Sequence, residues 1–312
     1  MNFLFWHARR HPAFARWSKP FWMFGTWKVS DHFYSGLMTN AARILGPRST
    51  FEQQEKLAKR TMANFYDFVC DVGFALGCTR QQLLDQIQSV EGDSHYLSAR
   101  ARKRGAIIAT AHMGSFEVGA AALQRHEKRI HVIFRTDRRN LFEQIRSTLR
   151  RKLGVVEVPV DQGWTVWMRL RDALQNDEAV LIQCDRVMTG QKGQAVPFFG
   201  GHTLFPTGPV KLALASGAPI IPVFTTKTPK GMIRLHVEPP IFVGEGGVSP
   251  DDALLQLARI VEKYVRRFPD QWLANQPAWI EDQDRPMPRP PLVVKIERMK
   301  QAMKGLIPWT RR

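Results

Sequence analysis

The sequence predicts an α/β domain with a mixed central sheet flanked by helices and with amphipathic segments at both ends. Strand-like and helix-like segments alternate between residues 106 and 237. A length of 312 residues, with 44% hydrophobic and 23% charged residues, is ordinary for one globular α/β domain. We expect three parts: an aromatic and basic segment at 1–45, the globular domain at 46–284, and a Pro-rich linker with a basic tail at 285–312.

The first elements of the domain are predicted helices. Residues 50–70 and 80–89 carry apolar side chains at helical spacing. A turn at Gly105 precedes a buried strand that contains Ile107 and Ile108. Ser115 is a good N-cap for the helix that should follow this strand.

Beyond residue 130 the two kinds of element alternate regularly, which is typical of a sheet with crossover helices. The predicted elements are a strand at 131–135, a helix at 140–152, a strand at 155–158, a helix at 165–175 and a strand at 179–184. Thr207 should cap a helix that ends at Gly217. Strands follow at 220–224 and 233–237, and a helix runs from Ser249 to Phe268.

The candidate chemistry lies at the strand-to-helix corner after residue 110. His112 and Glu117 form an H-x-x-x-x-E pattern, and His112 is the only one of nine histidines with an acid five residues on. An imidazole and a carboxylate at such a corner are suited to removing a proton from a substrate hydroxyl. Spacing alone leaves a structural alternative, in which Glu117 stabilises the helix dipole and His112 only ends a strand.

The segments around this pair resemble the bacterial lysophospholipid acyltransferase superfamily, specifically the late lipid A biosynthesis (lauroyl/myristoyl) acyltransferases. The resemblance runs from about residue 40 to about residue 280. The matching segments are His112–Glu117, Val132–Arg135, Leu149–Gly154, Asp185, Val196–Gly200, Pro206–Pro209, Ala218–Val223 and Pro269–Leu273. Ala274, Asn275 and Gln276 differ from the aromatic and basic residues that this family usually has there.

This resemblance implies a glycerolipid acyltransferase-like fold and the direct transfer of a fatty acyl chain from a thioester to a hydroxyl. His112 would be the base and Glu117 would hold its imidazole. Residues implied to bind substrate or donor are Arg150, Arg135, Asp185, Arg186, Gly114 and Ser115. Arg186 departs from the family's usual Asp-Gln pair, so that it either contacts phosphate or pairs with Asp185. A covalent alternative would use Cys184, which we expect in the core because its strand is apolar.

The resemblance also names the reaction partners. The donor would be acyl carrier protein or CoA carrying the acyl thioester, and the acceptor a lipid or glycolipid. The acceptor stays open among lipid A-like saccharides, other glycolipids, ornithine-type lipids and pigment lipids. We expect no metal or bound cofactor, because the three cysteines and the scattered histidines lack metal-ligand spacing.

The charge distribution favours a membrane surface as a partner. The net charge is +17, and residues 1–60 hold ten Lys/Arg against three Asp/Glu while 285–312 hold eight against one. Eleven of the 32 aromatic residues lie in the first 34 positions, a composition typical of an interfacial segment. With no apolar run of about 18 residues, we expect peripheral or N-terminally anchored attachment to the cytoplasmic face of the bacterial inner membrane.

Several alternatives stay open at this point. In one, the N-terminal aromatics pack onto the domain, and in another the C-terminal segment is a docked helix. A third is a non-catalytic lipid-binding relative. A nucleic-acid-binding protein is suggested by the pI near 10.3 alone, without a recognised motif, so we expect no nucleic acid. The oligomeric state is left without a prediction.

Overall fold

A computed structural model describes residues 6–8, 10–134, 141–187, 192–283 and 285–306. In the described part of the chain, helices precede the sheet: α1 (Pro12–Trp17), α2 (Lys19–Val29), α3 (Asp31–Leu45) and α4 (Phe51–Ala75). Thr50 fixes the start of α4 through a capping box, in which its hydroxyl accepts from the Gln53 N–H and the Gln53 side chain accepts from the Thr50 N–H.

The described strands form one large sheet and one hairpin. They are β1 (Ile87–Glu91), β2 (Ala106–Thr110), β3 (Ile130–Phe134), β4 (Val156–Pro159), β5 (Ala179–Gln183), β6 (Gly193–Phe198), β7 (Gly201–Pro206), β8 (Ile220–Lys227) and β9 (Ile233–Val237). The seven-stranded sheet has the order β1-β9-β8-β2-β5-β3-β4, and β6 pairs with β7. Strands β8, β2, β5, β3 and β4 are parallel, whereas β9 is antiparallel to β8, so the predicted mixed sheet is confirmed.

Helices cover both faces of this sheet. After α4 they are α5 (Arg80–Leu84), α6 (Asp93–Arg100), α7 (Phe116–Gly119), α8 (Leu141–Lys152), α9 (Thr165–Gln175), α10 (Gly208–Ser216), α11 (Pro250–Arg267) and α12 (Pro291–Leu306). The 3₁₀ segments are Ala120–Arg125, Val160–Gln162, Pro269–Gln271 and Ile280–Asp282. One core cluster packs α9, α10 and α11 against the sheet, and a second packs α4 and α8 against its other face. Every residue of β2 is buried between them.

Two features of the sheets differ from the sequence predictions. The helix predicted over 80–89 ends at Leu84, because Ile87–Glu91 pairs in parallel with β9 as an edge strand, and this long-range pairing outweighs the local helical pattern. The β6–β7 hairpin was not predicted. Its two-residue turn consists of Phe199 and Gly200, both at positive φ, as a type I′ turn requires.

The chain ends pack against the domain and against each other. Helix α3 packs on α4 through a buried cluster that includes Trp27, Tyr34 and Met62. Helix α12 contacts α2, and Arg289 in front of α12 pairs with Asp31 at 3.0 Å. None of the helices in the described ranges is long and apolar enough to cross a membrane.

Candidate active site

His112 and Asp185 meet at the carboxyl ends of two neighbouring parallel strands. In the β2–β5 register Ala106 lies opposite Ala179 and Thr110 opposite Gln183, an offset of 73 residues. Two residues beyond these ends, with the same offset, His112 Nδ1 lies 2.8 Å from Asp185 Oδ1. A carboxylate can only accept, so Nδ1 carries the proton and Nε2 is left as the basic nitrogen.

A C-terminal segment locks this pair in place. The Trp272 indole N–H donates to the second oxygen of Asp185 at 2.9 Å. On either side of Trp272, the N–H of Leu273 donates to the carbonyl of His112 at 2.8 Å and the N–H of Gly114 donates to the carbonyl of Gln271 at 3.0 Å. Residues 271–273, which follow α11, therefore pair with residues 112–114 much as an additional strand would.

The turn after His112 is fixed by contacts with β8 and α4. Gly114 has φ +53°, and a Cβ there would lie 2.5 Å from the carbonyl oxygen of Thr225, so glycine is required at this position. The Ser115 hydroxyl donates to Asp71 of α4, which also pairs with Lys227 at 2.6 Å. Ser115 thus does not cap α7 as expected, since its hydroxyl is used to fasten the turn to α4.

The site holds opposite charges around a neutral imidazole. Burial lowers the pKa of His112 to about 4, and the nearby Arg186 charge acts in the same direction against the opposing effect of Asp185. Burial would raise the pKa of Asp185, but His112, Arg186 and the Trp272 N–H together hold it well below its usual range. At neutral pH His112 is therefore an unprotonated base beside an ionised carboxylate.

Glu117 belongs to a different cluster, an ionic network between α7 and α8. Its carboxylate accepts from Arg146 Nε at 2.6 Å and from Arg150 at 3.3 Å. Arg150 is only 2% exposed and also donates to Glu143 and, at 2.7 Å, to Glu157. Arg146 donates to Glu143 at 3.0 Å. Three carboxylates thereby pair with two guanidinium groups, of which that of Arg150 is buried and that of Arg146 is half-buried at the cavity wall.

The expectation that Glu117 holds the His112 imidazole is therefore corrected in its geometry. In the described part of the chain the hydrogen bonds of Glu117 go to the two arginines, and Asp185 is the partner of His112. The cause is the turn at Gly114, after which α7 directs Glu117 towards α8. Asp185 was expected to bind substrate or donor, and it instead supports the base.

A cavity of about 1210 Å³ opens beside His112, at the carboxyl ends of the parallel strands. This exceeds the usual 300–1,000 Å³ of small-molecule sites. Apolar side chains line much of it: Ile133, Phe134, Val160, Trp167, Met168, Ile182, Val187 and Leu212. Polar lining comes from His112, Gln183, Arg186 and Arg146, from Lys192 and Lys211, and from Asn275 and Gln276. The predicted loop segment Pro206–Pro209 also lines the cavity.

The remaining predicted binding residues fall into separate groups. Arg186 lines the cavity next to His112. Arg150 and Ser115, which were expected to bind substrate or donor, are buried in protein contacts and do not line the cavity. Gly114 forms the turn itself, and Arg135 lies outside the described residues.

The covalent alternative has no support in the geometry of its thiol. Cys184 is fully buried, its Sγ donates to the carbonyl of Thr110 at 3.1 Å, and burial raises the pKa of the thiol well above its usual value. Over the described ranges no group of three His, Cys, Asp or Glu side chains is arranged to hold a metal ion.

Sequence reasoning missed Trp272, Gln271 and Arg146 as site residues. The block Pro269–Leu273 is predicted only as a segment that resembles the family, and its Trp272 brings an indole N–H to Asp185. Arg146 lies one turn before Arg150 on α8 and lines the cavity, with its guanidinium 5.6 Å from the ring of Phe116. Aligning the strands 106–110 and 179–183 would have placed Asp185 opposite His112.

Comparisons with known proteins identify the family of the chain. The model of the family described as bacterial lipid A biosynthesis acyltransferase matches residues 15–281. A phosphatidylinositol mannoside acyltransferase of Mycolicibacterium smegmatis is 26% identical over 249 residues, which cover 79% of each chain. The Mycobacterium tuberculosis H37Rv protein of the same description is 29% identical over 202 residues, 64% of this chain and 61% of its own length.

Proposed function

Because the chain belongs to the bacterial lipid A biosynthesis acyltransferase family and is thus a lipid acyltransferase, we propose that it moves a fatty acyl chain from an acyl thioester to a hydroxyl of a membrane glycolipid. The observation that carries this proposal is the His112–Asp185 pair at the wall of a large, half-apolar cavity. Acyl transfer to an alcohol needs such a base next to room for an acyl chain.

In the proposed reaction His112 Nε2 takes the proton of the acceptor hydroxyl. The oxygen adds to the thioester carbonyl, and the tetrahedral intermediate collapses by breaking the C–S bond. The thiolate leaves with the proton from the imidazolium. Asp185 stabilises the imidazolium in between, and Trp272 keeps the carboxylate in place. No acyl-enzyme forms, and Cys184 is not involved.

The cavity supports this division between donor and acceptor. Its apolar lining suits the acyl chain of the donor, and Lys192 and Lys211 are exposed cations on its wall that suit donor phosphates. We assign the donor as acyl carrier protein or CoA carrying the thioester, without a further cofactor. Glu117 acts in this proposal through Arg146, which it holds at the cavity wall.

A glycolipid acceptor is favoured by two observations. The relatives named above are described as acting on a mannoside of phosphatidylinositol. Asn275 and Gln276, which line the cavity, offer carboxamide groups that can donate to and accept from sugar hydroxyls.

Peripheral attachment to an anionic membrane surface completes the proposal. Trp17, Phe21 and Phe24 on the N-terminal helices are exposed by 76%, 77% and 68%, and Lys28 Nζ lies 5.7 Å from the centre of the Phe24 ring. Such a surface suits an interfacial helix at the cytoplasmic face of the inner membrane. Trp27 and Tyr34 are buried instead, so that part of the N-terminal aromatic set packs onto the domain.

The test is product analysis with defined substrates. Purified protein is incubated with palmitoyl-CoA or palmitoyl-acyl carrier protein and a panel of phosphatidylinositol mannosides, lipid A precursors and ornithine lipids, and the lipids are analysed by mass spectrometry. We expect one glycolipid to gain an acyl mass with wild type and with Cys184→Ala, but not with folded His112→Ala. A product formed equally by His112→Ala would refute the assignment.

A further inference from the structure

Arg186 is a guanidinium in a deep site without a hydrogen-bonding partner among the residues that the structure describes. It follows Asp185 directly, lines the cavity beside His112, and makes none of the ion pairs or hydrogen bonds seen for Arg146 and Arg150. Burial lowers the pKa of its guanidinium, against the opposing charge of Asp185. A partly buried guanidinium that makes no hydrogen bond to the described residues is costly unless a ligand or a reacting group uses it.

The balance of charges near Arg186 changes during the reaction so that one further negative charge is favoured there. At rest His112 is neutral, so the Arg186 charge offsets the Asp185 carboxylate. Once His112 has taken a proton, the imidazolium pairs with Asp185 at hydrogen-bonding distance. The positive charge of Arg186 is then unmatched at the moment when the thioester carbonyl oxygen becomes negative.

We propose that Arg186 stabilises the oxyanion of the tetrahedral intermediate. The inference rests on the proposed function and assigns the site a second catalytic residue. The acceptor oxygen forms the new C–O bond, the carbonyl π electrons move onto oxygen, and the oxyanion accepts from the Arg186 guanidinium. When the C–S bond breaks, the electron pair returns to the carbonyl and the thiolate leaves with the His112 proton. The charges are thus paired before, during and after the addition.

A second donor on the same wall supports this role. The side-chain nitrogen of Gln183, at the end of β5, is buried without a partner and its residue lines the cavity. A buried amide donor of this kind favours an acceptor oxygen as its ligand. Arg186 therefore lines the cavity, and the unpaired Gln183 nitrogen is buried at the same strand end, which also carries Asp185.

The discriminating variant is Arg186→Met, which removes the charge and keeps a long unbranched side chain. Removing a positive charge beside His112 raises the pKa of the imidazole and makes it a stronger base. If Arg186 only tuned His112, the variant at pH 8 would react as fast as wild type or faster. If Arg186 stabilises the oxyanion, we expect kcat to fall by about 10²–10³-fold although the base is stronger. Arg186→Lys should recover part of the loss.

The readout is thiol release from palmitoyl-CoA and from palmitoyl-acyl carrier protein, with and without the glycolipid panel. Binding of S-hexadecyl-CoA, a thioether without a carbonyl, should change less than about threefold in Arg186→Met, because no oxyanion forms in that complex. The matched control is Arg169→Met, since Arg169 is exposed on α9 and does not line the cavity. Its kcat should equal that of wild type.

Each outcome has a separate meaning. A kcat of Arg186→Met within about threefold of wild type would overturn the oxyanion role while leaving the acyltransferase proposal intact. An equal loss of kcat and of S-hexadecyl-CoA binding would overturn it in favour of a structural role. Thiol release by wild type no faster than by His112→Ala would overturn the proposed function itself, and this inference with it.

Discussion

At the scale of single residues, burial gives His112 the properties of a base that is always available. Its surroundings lower the pKa of the imidazole to about 4, so the ring stays neutral throughout the physiological range. A base with so low a pKa has a weak driving force for taking a proton. Asp185 offsets this weak driving force, because its ionised carboxylate stabilises the protonated form of the His112 ring.

The first prediction concerns the pH dependence of the reaction. An imidazole with a lowered pKa loses its proton at lower pH, so kcat/KM should rise with pH through about 4 and stay flat above about pH 6. A free imidazole would give the same rise near pH 6.5. Initial rates from pH 4 to pH 8, with intrinsic fluorescence to confirm the fold, measure this limb. A rise centred near pH 6.5 would contradict the buried, neutral His112.

Glu117 lies close to His112 in the sequence but contacts other side chains. It accepts from two arginines, one of which is almost fully buried. Removing its charge takes one of two carboxylate partners from Arg146 and one of three from the buried Arg150. The network therefore ties α7 to α8 and fixes Arg146 at the cavity wall.

We predict that Glu117→Gln lowers the free energy of unfolding by about 3 kcal/mol, as expected when one partner of a buried ion pair is lost. Urea denaturation followed by fluorescence measures it. The control is Glu262→Gln on α11, whose partner Arg266 is 59% exposed, and which should cost less than about 1 kcal/mol. Activity should fall less than in Asp185→Asn. Unchanged stability of Glu117→Gln would refute the structural role of the network.

At the scale of elements, strand register decides which side chains form the site. The alternation of strands and helices was readable from the sequence, and the predicted bounds of β3, β4 and β9 agree with the structure within about one residue. The pairing order was not readable, because local patterns carry no information on which strands are neighbours. For that reason His112 was recognised and its partner Asp185 was given another role.

The segment after α11 illustrates a second limit of local patterns. Gln271 ends the short 3₁₀ segment Pro269–Gln271 and Trp272 follows it directly, so neither helical nor strand periodicity marks their side chains. Their function depends on contacts across the chain, since the Gln271 side chain bonds both the N–H and the carbonyl of Lys227 on β8. The edge strand β1 was missed for the same reason, because its partner is β9.

Trp272→Phe tests whether this segment supports the reaction. The variant keeps an aromatic ring and removes the N–H that donates to Asp185. A hydrogen bond to a charged group contributes about 1.5–3 kcal/mol, so we expect kcat to fall about tenfold or more. In a double-mutant cycle with Asp185→Asn the two losses should not add, because both act on one carboxylate. Additive losses would show that Trp272 acts independently of Asp185.

At the scale of the whole molecule, the N-terminal helices connect an exposed aromatic surface to the cavity. Helix α2 carries Phe21 and Phe24 on its outer side, and α3 follows directly. Within α3, Asn40 donates to the carbonyls of Ala274 and Gln276 at 2.9 and 2.8 Å. The helix next to the proposed membrane surface thus holds the wall of the cavity that we assign to the acceptor.

The last prediction concerns this surface. Replacing Trp17, Phe21 and Phe24 by serine removes the exposed rings but keeps the charge of both chain ends. Burying one such ring contributes about 1.5–3 kcal/mol, so binding to phosphatidylglycerol vesicles should weaken by at least about tenfold in a flotation assay. Wild-type binding should also weaken as salt rises, because basic residues add about 1 kcal/mol each near an anionic surface and ions screen them.

Serine at the exposed Val90, Leu97 and Leu214, at 40%, 51% and 52% exposure, is the matched control and should leave binding unchanged. Activity on a detergent-dispersed acceptor should survive in both variants, because neither set of side chains lines the cavity. Equal vesicle binding by the aromatic variant and wild type would show that α1 and α2 are not the docking surface, and loss of detergent activity would show that these rings support the fold.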